Sequence, residues 1–213
     1  MVRFFETAKD SPYFTLFYLL LHTDLRRGEA LALRWRHVDF GIASLGVTAY
    51  LSVSQSLGKV NRQVLIKEPK TASGKRRVAL SPSCAPVLRQ HHDEQKALRE
   101  SLGGTLTDGD FVFSKPEGKP LDPSTGSKAF SATIRRTGLP AKPLYGLRHR
   151  HTAMLFSAGT HPKVVQERLG HASIKETPDT YSHVVGRLQE AAAQKPAKFL
   201  AAKDTTGKSV ARM

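Results

Sequence analysis

Acidic residues are scarce in this chain. Its 213 residues include 18 Asp and Glu against 33 Lys and Arg, a formal net charge of +15. So strong an excess points to a polyanionic partner, most simply nucleic acid, with an anionic membrane as the lesser option. Long apolar runs are lacking too. The longest, Y-F-T-L-F-Y-L-L-L from residue 13 to 21, is about half of what a helix needs to cross a bilayer, so no membrane role is expected. One cysteine, Cys84, excludes an intrachain disulfide and fits a reducing cytoplasm. No apolar stretch with a small-residue cleavage site follows the charged N-terminus, so no secretory leader is expected. There is no internal repeat and no low-complexity tract. A zinc site is not expected either. His91 and His92 are adjacent, His149 and His151 are two apart, and no H-x-x-x-H pair exists.

What is present reads as helix with a little strand. Residues 3 to 22 have helical periodicity, with Ser11-Pro12 suited to a helix start. Residues 27 to 36 read as a second helix with Leu31, Ala32 and Trp35 as its apolar stripe. Three β-prone runs follow, at 46 to 53, 62 to 67 and 76 to 80. The last two flank E-P-K-T-A-S-G-K, which reads as a hairpin loop. Ser81-Pro82-Ser83 opens a helix to about residue 100, and a Gly-rich connector leads to the short run F-V-F. Further helices are expected at 123 to 137, 144 to 158, 162 to 170 and 178 to 194. The tail from 196 to 213 is polar. Helix at the first residues is the pattern of a chain that starts partway into a larger protein.

Four separated stretches carry chemistry: T-D-L-R-R-G-E-A-L-A-L-R-W (23 to 35), P-K-T-A-S-G-K-R-R-V-A-L (69 to 80), Y-G-L-R-H-R-H-T (145 to 152) running into G-T-H-P-K-V-V-Q-E-R-L-G-H (159 to 171), and D-T-Y-S-H-V (179 to 184). Arginines in such number suit phosphate, because a guanidinium is planar, permanently charged and bidentate. Lysine or histidine can deliver a proton. Tyrosine can attack phosphorus, though a phenol with a pKa of about 10 needs help from its surroundings.

In order and spacing the four stretches resemble the tyrosine recombinases, the phage integrase family of DNA breaking and joining enzymes. The resemblance implies a mainly α fold with a small three-stranded antiparallel β-sheet, the integrase catalytic-domain fold, over residues 1 to 195. It implies that the family's separate N-terminal DNA-clamping domain is absent from this chain. Arg26 and Arg148 take the positions of the phosphate-clamping arginines. Glu29, three residues after Arg26, is a supporting group, and His149 another. Lys70 takes the place of the mobile general acid, with Lys75 as its competitor in the same loop. His171 is the second phosphate hydrogen-bond donor and Tyr181 the nucleophile, forming a 3′-phosphotyrosyl link. No metal, ATP or other cofactor is implied.

The sequence departs from the family pattern in three places. Tyr145 stands where an H-x-x-R element has its histidine. Asp24 replaces a glycine, a position where Asp tolerates positive φ better than most residues. Pro178 lies three residues ahead of Tyr181. His151 reads as an exposed-face position with no assigned role. The expected partner is double-stranded DNA, bound by a homotetramer on two sites, with the chain a monomer alone in solution. The segment after Tyr181, with Leu188, Phe199 and Leu200, is expected to pack on a neighbouring subunit. Two other readings stay open: a degenerate DNA-binding module that does not cut, and a type IB topoisomerase-like relaxing activity.

Overall fold

The computed structural model describes residues 1–42, 48–61, 63–69 and 72–171. Lys70, Tyr181, the helix expected over 178 to 194 and the polar tail lie outside the described residues. Among the described residues no helix is long and apolar enough to cross a membrane.

Seven α-helices and five strands are described. The first helix, α1 (Val2–Ala8), and the second, α2 (Phe14–Thr23), are separate. The sequence suggested one helical stretch restarting at Pro12. Instead the turn between them is closed by Ser11, whose hydroxyl accepts from the Tyr13 N–H (3.2 Å) and whose carbonyl accepts from Phe14 (2.9 Å). α2 is apolar on most of its circumference, which suits a central helix. It packs between α4 (Cys84–Ser101) and α6 (Gly146–Ser157). Phe4, Phe17 and Phe130 meet ring to ring at 4.9 to 5.7 Å and join α1, α2 and α5 (Pro123–Thr137).

The short helix α3 (Arg27–Leu31) stops well before residue 36. Its successor segment pairs with the F-V-F run instead. Trp35 donates to the Asp110 carbonyl (3.1 Å) and Val112 donates to the Leu33 carbonyl (2.9 Å). A 3-10 turn, Trp35–His37, leads into β1 (Val38–Asp39).

The sheet also departs from the expected pairing. β1, β2 (Tyr50–Val53) and β5 (Arg76–Ala79) form a three-stranded antiparallel sheet in the order β1-β2-β5, with Leu51 opposite Val78 and Val53 opposite Arg76. β4 (Gln63–Lys67) pairs with β3 (Ser56–Val60), not with β5. The stretch carrying Lys70 therefore links two different sheets and is not a hairpin loop. The missed strand, β3, contains Gly58 and two polar residues, Ser56 and Lys59, a weak strand signal. Its turn uses Asn61 at φ 48°, in the left-handed region that Asn tolerates.

The later helices follow their sequence signals closely. Asp122 caps α5, accepting from Ser124 N–H (2.8 Å), and Gly138 ends it at φ 68°. His161 and Pro162 open α7 (Pro162–Leu169), and Gly170 ends it at φ 67°.

Gly28 lets β3 lie against α3. A Cβ at Gly28 would sit 2.5 Å from the Leu57 carbonyl oxygen, a backbone atom that cannot step aside. In an exposed helix Gly→Ala would gain about 1 kcal/mol; here overpacking at about 1–3 kcal/mol opposes it. Gly28→Ala should therefore lower the urea midpoint with little change in m. A raised midpoint would show that β3 does not press on α3.

Candidate active site

Among the described residues, the first three of the separated motifs bring charged residues to one place, on the side of α2 where the chain turns into α3. Thr23 ends α2, and Asp24 takes φ 62° to reverse the chain. Arg26 then caps α3 in extended conformation. Glu29 folds back on it. One carboxylate oxygen accepts from the Arg26 backbone N–H (2.8 Å) and the other from Arg26 Nη1 (3.0 Å). Glu29 is 5% exposed, whereas Arg26 is 45% exposed, so a buried carboxylate anchors a guanidinium that faces outward.

The Glu29 carboxylate is shared. Arg76 Nη2 and Nη1 approach its two oxygens at 2.9 and 3.2 Å, from a side chain only 6% exposed. Burial works to raise the Glu29 carboxyl, but the hydrogen bonds and charges of Arg76, then of Arg26, hold it below the ordinary range.

Arg148 enters from α6 and is buried. It donates through Nη1 to the Asp24 carbonyl, and through Nη2 to the Leu169 carbonyl (2.9 Å) and His171 Nε2 (3.3 Å). His171 is held by backbone as well, its N–H donating to the Gln166 carbonyl (3.2 Å). So His171 completes the end of α7 and turns its ring to Arg148. Arg148 feels Arg26 as a repelling charge, which places both in one electrostatic environment.

Behind them Arg168 donates through Nε to His151 Nε2 (3.2 Å) and through Nη2 to the His22 carbonyl (2.8 Å). His151, expected on an exposed face, is buried. It lies three residues after Arg148, on the same inward face of α6. Burial, then the Arg168 charge, pushes its imidazole down to about 4. It is a neutral acceptor for Arg168 near pH 7.

Four guanidiniums, of Arg26, Arg76, Arg148 and Arg168, share two carboxylates, of Asp24 and Glu29. Burial pushes both the Arg148 and Arg168 guanidiniums below their ordinary pKa. Among the described residues this cluster carries two more positive charges than negative. Holding such a surplus in a partly dry environment is costly without an anion to meet it.

Tyr145 caps α6, is half exposed, and lines a shallow hollow with Arg27 and Arg148. His149 is exposed, with its ring edge-on to Tyr145 at 4.6 Å. Lys75 is engaged with Glu68 at 2.8 Å. Arg76 and Arg168 were missed in the sequence, yet a signal for Arg76 existed. In R-R-V-A-L the alternation puts Arg76 on the same strand face as Val78 and Leu80, both buried.

The family model for the phage integrase family matches residues 1–186. The chain belongs to that family. Its relatives include the tyrosine recombinase XerC-like protein of Caldanaerobacter subterraneus subsp. tengcongensis, 30% identical over 186 residues, which cover 84% of this chain and 48% of the relative. The ICEBs1 integrase of Bacillus subtilis is 28% identical over 188 residues, covering 88% of this chain and 49% of that protein. The chain thus spans about half the length of the curated relatives it matches. In solved structures the same integrase fold recurs. The Tn1549 transposon integrase, in complex with circular intermediate DNA, superposes with a TM-score of 0.73 at 23% identity, over 90% of this chain and 63% of that one. The XerH site-specific recombinase, bound to difH substrate, gives 0.63 at 21% identity, over 90% of this chain and 51% of that one.

Asp24, where the family pattern has glycine, yields a test. Its carboxylate is fully buried against the Thr152 hydroxyl (3.2 and 3.3 Å), and burial outweighs Arg148 to push it up to about 6 from 3.8. A pKa raised on folding contributes stability that is present below the unfolded value and lost as pH rises through the folded value. Asp24→Asn keeps the shape and the tolerance for positive φ. It should melt higher than the parent at pH 8, by an amount worth at most on the order of 3 kcal/mol. That gain should fade between about pH 6 and 4. A loss at pH 8 would show that the carboxylate is the favoured form, and a gain independent of pH that its burial does not shift its titration.

Proposed function

We propose that residues 1 to 195 form the catalytic domain of a site-specific recombinase that cleaves and rejoins double-stranded DNA. The observation that carries this is the surplus of guanidinium charge at the site, with Arg26 facing outward and Arg148 and His171 converging from α6 and the end of α7. A phosphodiester supplies an anion that the described residues of the cluster do not. As it is attacked, charge grows on the nonbridging oxygens, where fixed guanidiniums are most effective.

In this reading Tyr181 gives up its phenolic proton to water as it attacks phosphorus, and the 5′-oxygen leaves. The phosphorus becomes joined to the tyrosine as a 3′-phosphotyrosyl ester, and the 5′-oxygen takes a proton from Lys70. The ester keeps the energy of the broken bond, so attack by a 5′-hydroxyl rejoins the strand without a nucleotide cofactor. Arg26 and Arg148 hold the nonbridging oxygens, His171 assists them, and Tyr145 offers a hydroxyl where the family pattern has an imidazole. The ion pair of Lys75 with Glu68 supports Lys70 as the acid, although exposed pairs are weak. The homologues' named roles and this chain's net charge of +15 favour DNA as the partner. The assembly in this reading is a homotetramer on two sites, with residues 196 to 213 as a tail that contributes to assembly.

The substrate can be recovered from a library of nicked random-sequence duplexes by selecting molecules captured covalently by the chain. On that duplex Lys70→Ala should slow cleavage by about 10²–10⁴-fold, the range of general acid catalysis. Sulfur in place of the 5′-bridging oxygen leaves as a thiolate, whose conjugate acid has a pKa of about 8.5 and needs no proton donor. Lys70→Ala should then cleave almost as fast as the parent. Arg26→Ala should stay slow on both substrates. Equal slowness of Lys70→Ala on both would remove it as the acid, and rescue of Lys75→Ala instead would assign the role there. No captured duplex at all would favour the degenerate binding module.

A further inference from the structure

Arg76 lies on β5, outside the residues assigned above to the reaction, yet no described side chain ties more of the site together. Its guanidinium forks onto both oxygens of Glu29 (2.9 and 3.2 Å). Its Nε donates to the Arg168 carbonyl (2.7 Å), three residues before His171. Nη1 also reaches the Gly74 carbonyl (3.4 Å), in the turn that follows the stretch carrying Lys70. The fit is close. A Cβ on Gly170 would stand 2.9 Å from Arg76 Nη1 and 3.0 Å from the Ser73 carbonyl oxygen.

These contacts have a direction. Glu29 meets two guanidiniums, one buried and one half exposed. The buried one is fixed by four acceptors and by pairing of its strand with β2, where Arg76 lies opposite Val53. Among the described residues the outward one, Arg26, is fixed through Glu29 and its own backbone. Without Arg76 the Glu29 carboxylate would keep its bonds to Arg26 but lose its tie to β5, and Arg26 would lose the reference that comes from outside its own turn.

We infer that Arg76 is a positioning residue for the reaction, holding Glu29 so that Arg26 meets the nonbridging oxygens and setting the turn before His171 in the same frame. The inference rests on the reading of Arg26 and His171 as phosphate ligands. Arg76 touches no reacting atom. A planar fork is essential to this role. Lysine would keep the charge but offers a point donor that cannot span both carboxylate oxygens and the Arg168 carbonyl.

The test is Arg76→Lys in the full chain, on the duplex captured by the parent, with melting temperature, DNA Kd and single-turnover cleavage measured together. Positioning predicts a folded variant whose Kd stays within about threefold while cleavage slows by about ten- to a hundredfold, since a group misplaced by an ångström costs that much. Arg26→Ala should cost far less in the Arg76→Lys background than in the parent, because the two act in series. Should Arg76→Lys melt below the assay temperature, Glu29→Gln breaks the same relay at nearly constant volume and should give the same split. A merely structural Arg76 would show cleavage falling only in proportion to folded, DNA-binding protein, with additive losses; that result would overturn the inference. If the parent cleaves but Arg26→Ala is as fast, or the parent does not cleave, the underlying reading fails and the inference falls with it.

Discussion

The site depends on one buried carboxylate. Glu29 accepts from the Arg26 backbone, the Arg26 side chain and the Arg76 fork, and these bonds join the start of α3 to β5. Removing a partner from such a pair leaves a buried charge uncompensated, at a cost of about 3–5 kcal/mol. The arrangement therefore does two things at once. It closes the fold between helix and sheet, and it aims a guanidinium at solvent. Arg148 follows the opposite pattern: it is buried, carbonyl-bound and turned to His171, so its position is set by backbone and not by a carboxylate.

Much of this was legible in the sequence wherever a local signal carried it. Asp122-Pro123 and Gly138 bracket α5, and His161-Pro162 and Gly170 bracket α7, because caps and breakers act within a turn. The pairing of Arg26 with Glu29 was legible as one helical turn. Strand partnership was not. The β4 strand found β3, which carries Gly58 and polar residues, and the register is decided by packing against α3 through Gly28. The end of α3 was equally hidden, since it is set by hydrogen bonds to residues 110 and 112.

Resemblance picked out the residues proposed to meet the phosphodiester. Arg26, Arg148 and His171 do come together; Lys70 and Tyr181 lie outside the described residues. Arg76, which holds Glu29, and the Arg168–His151 pair behind it belong to contacts between elements far apart in sequence. His151 shows why an exposed-face reading fails for α6. That helix buries Arg148, His151 and Thr152 as well as Leu147 and Phe156, so its polar residues do not mark its wet side. Asp24 is similar. Its backbone solves a turn that glycine would solve, and its carboxylate is then stranded beneath the surface, held by Thr152.

In the proposed function this cluster of cations holds a phosphodiester under attack by Tyr181. The most direct measurement is mass spectrometry of the protein after proteolysis of its covalent complex with a nicked duplex. The account predicts one nucleotide-bearing peptide, with the phosphate on Tyr181, and no adduct in Tyr181→Phe. An adduct on another residue, Tyr145 foremost, or an unchanged adduct in Tyr181→Phe, would contradict it.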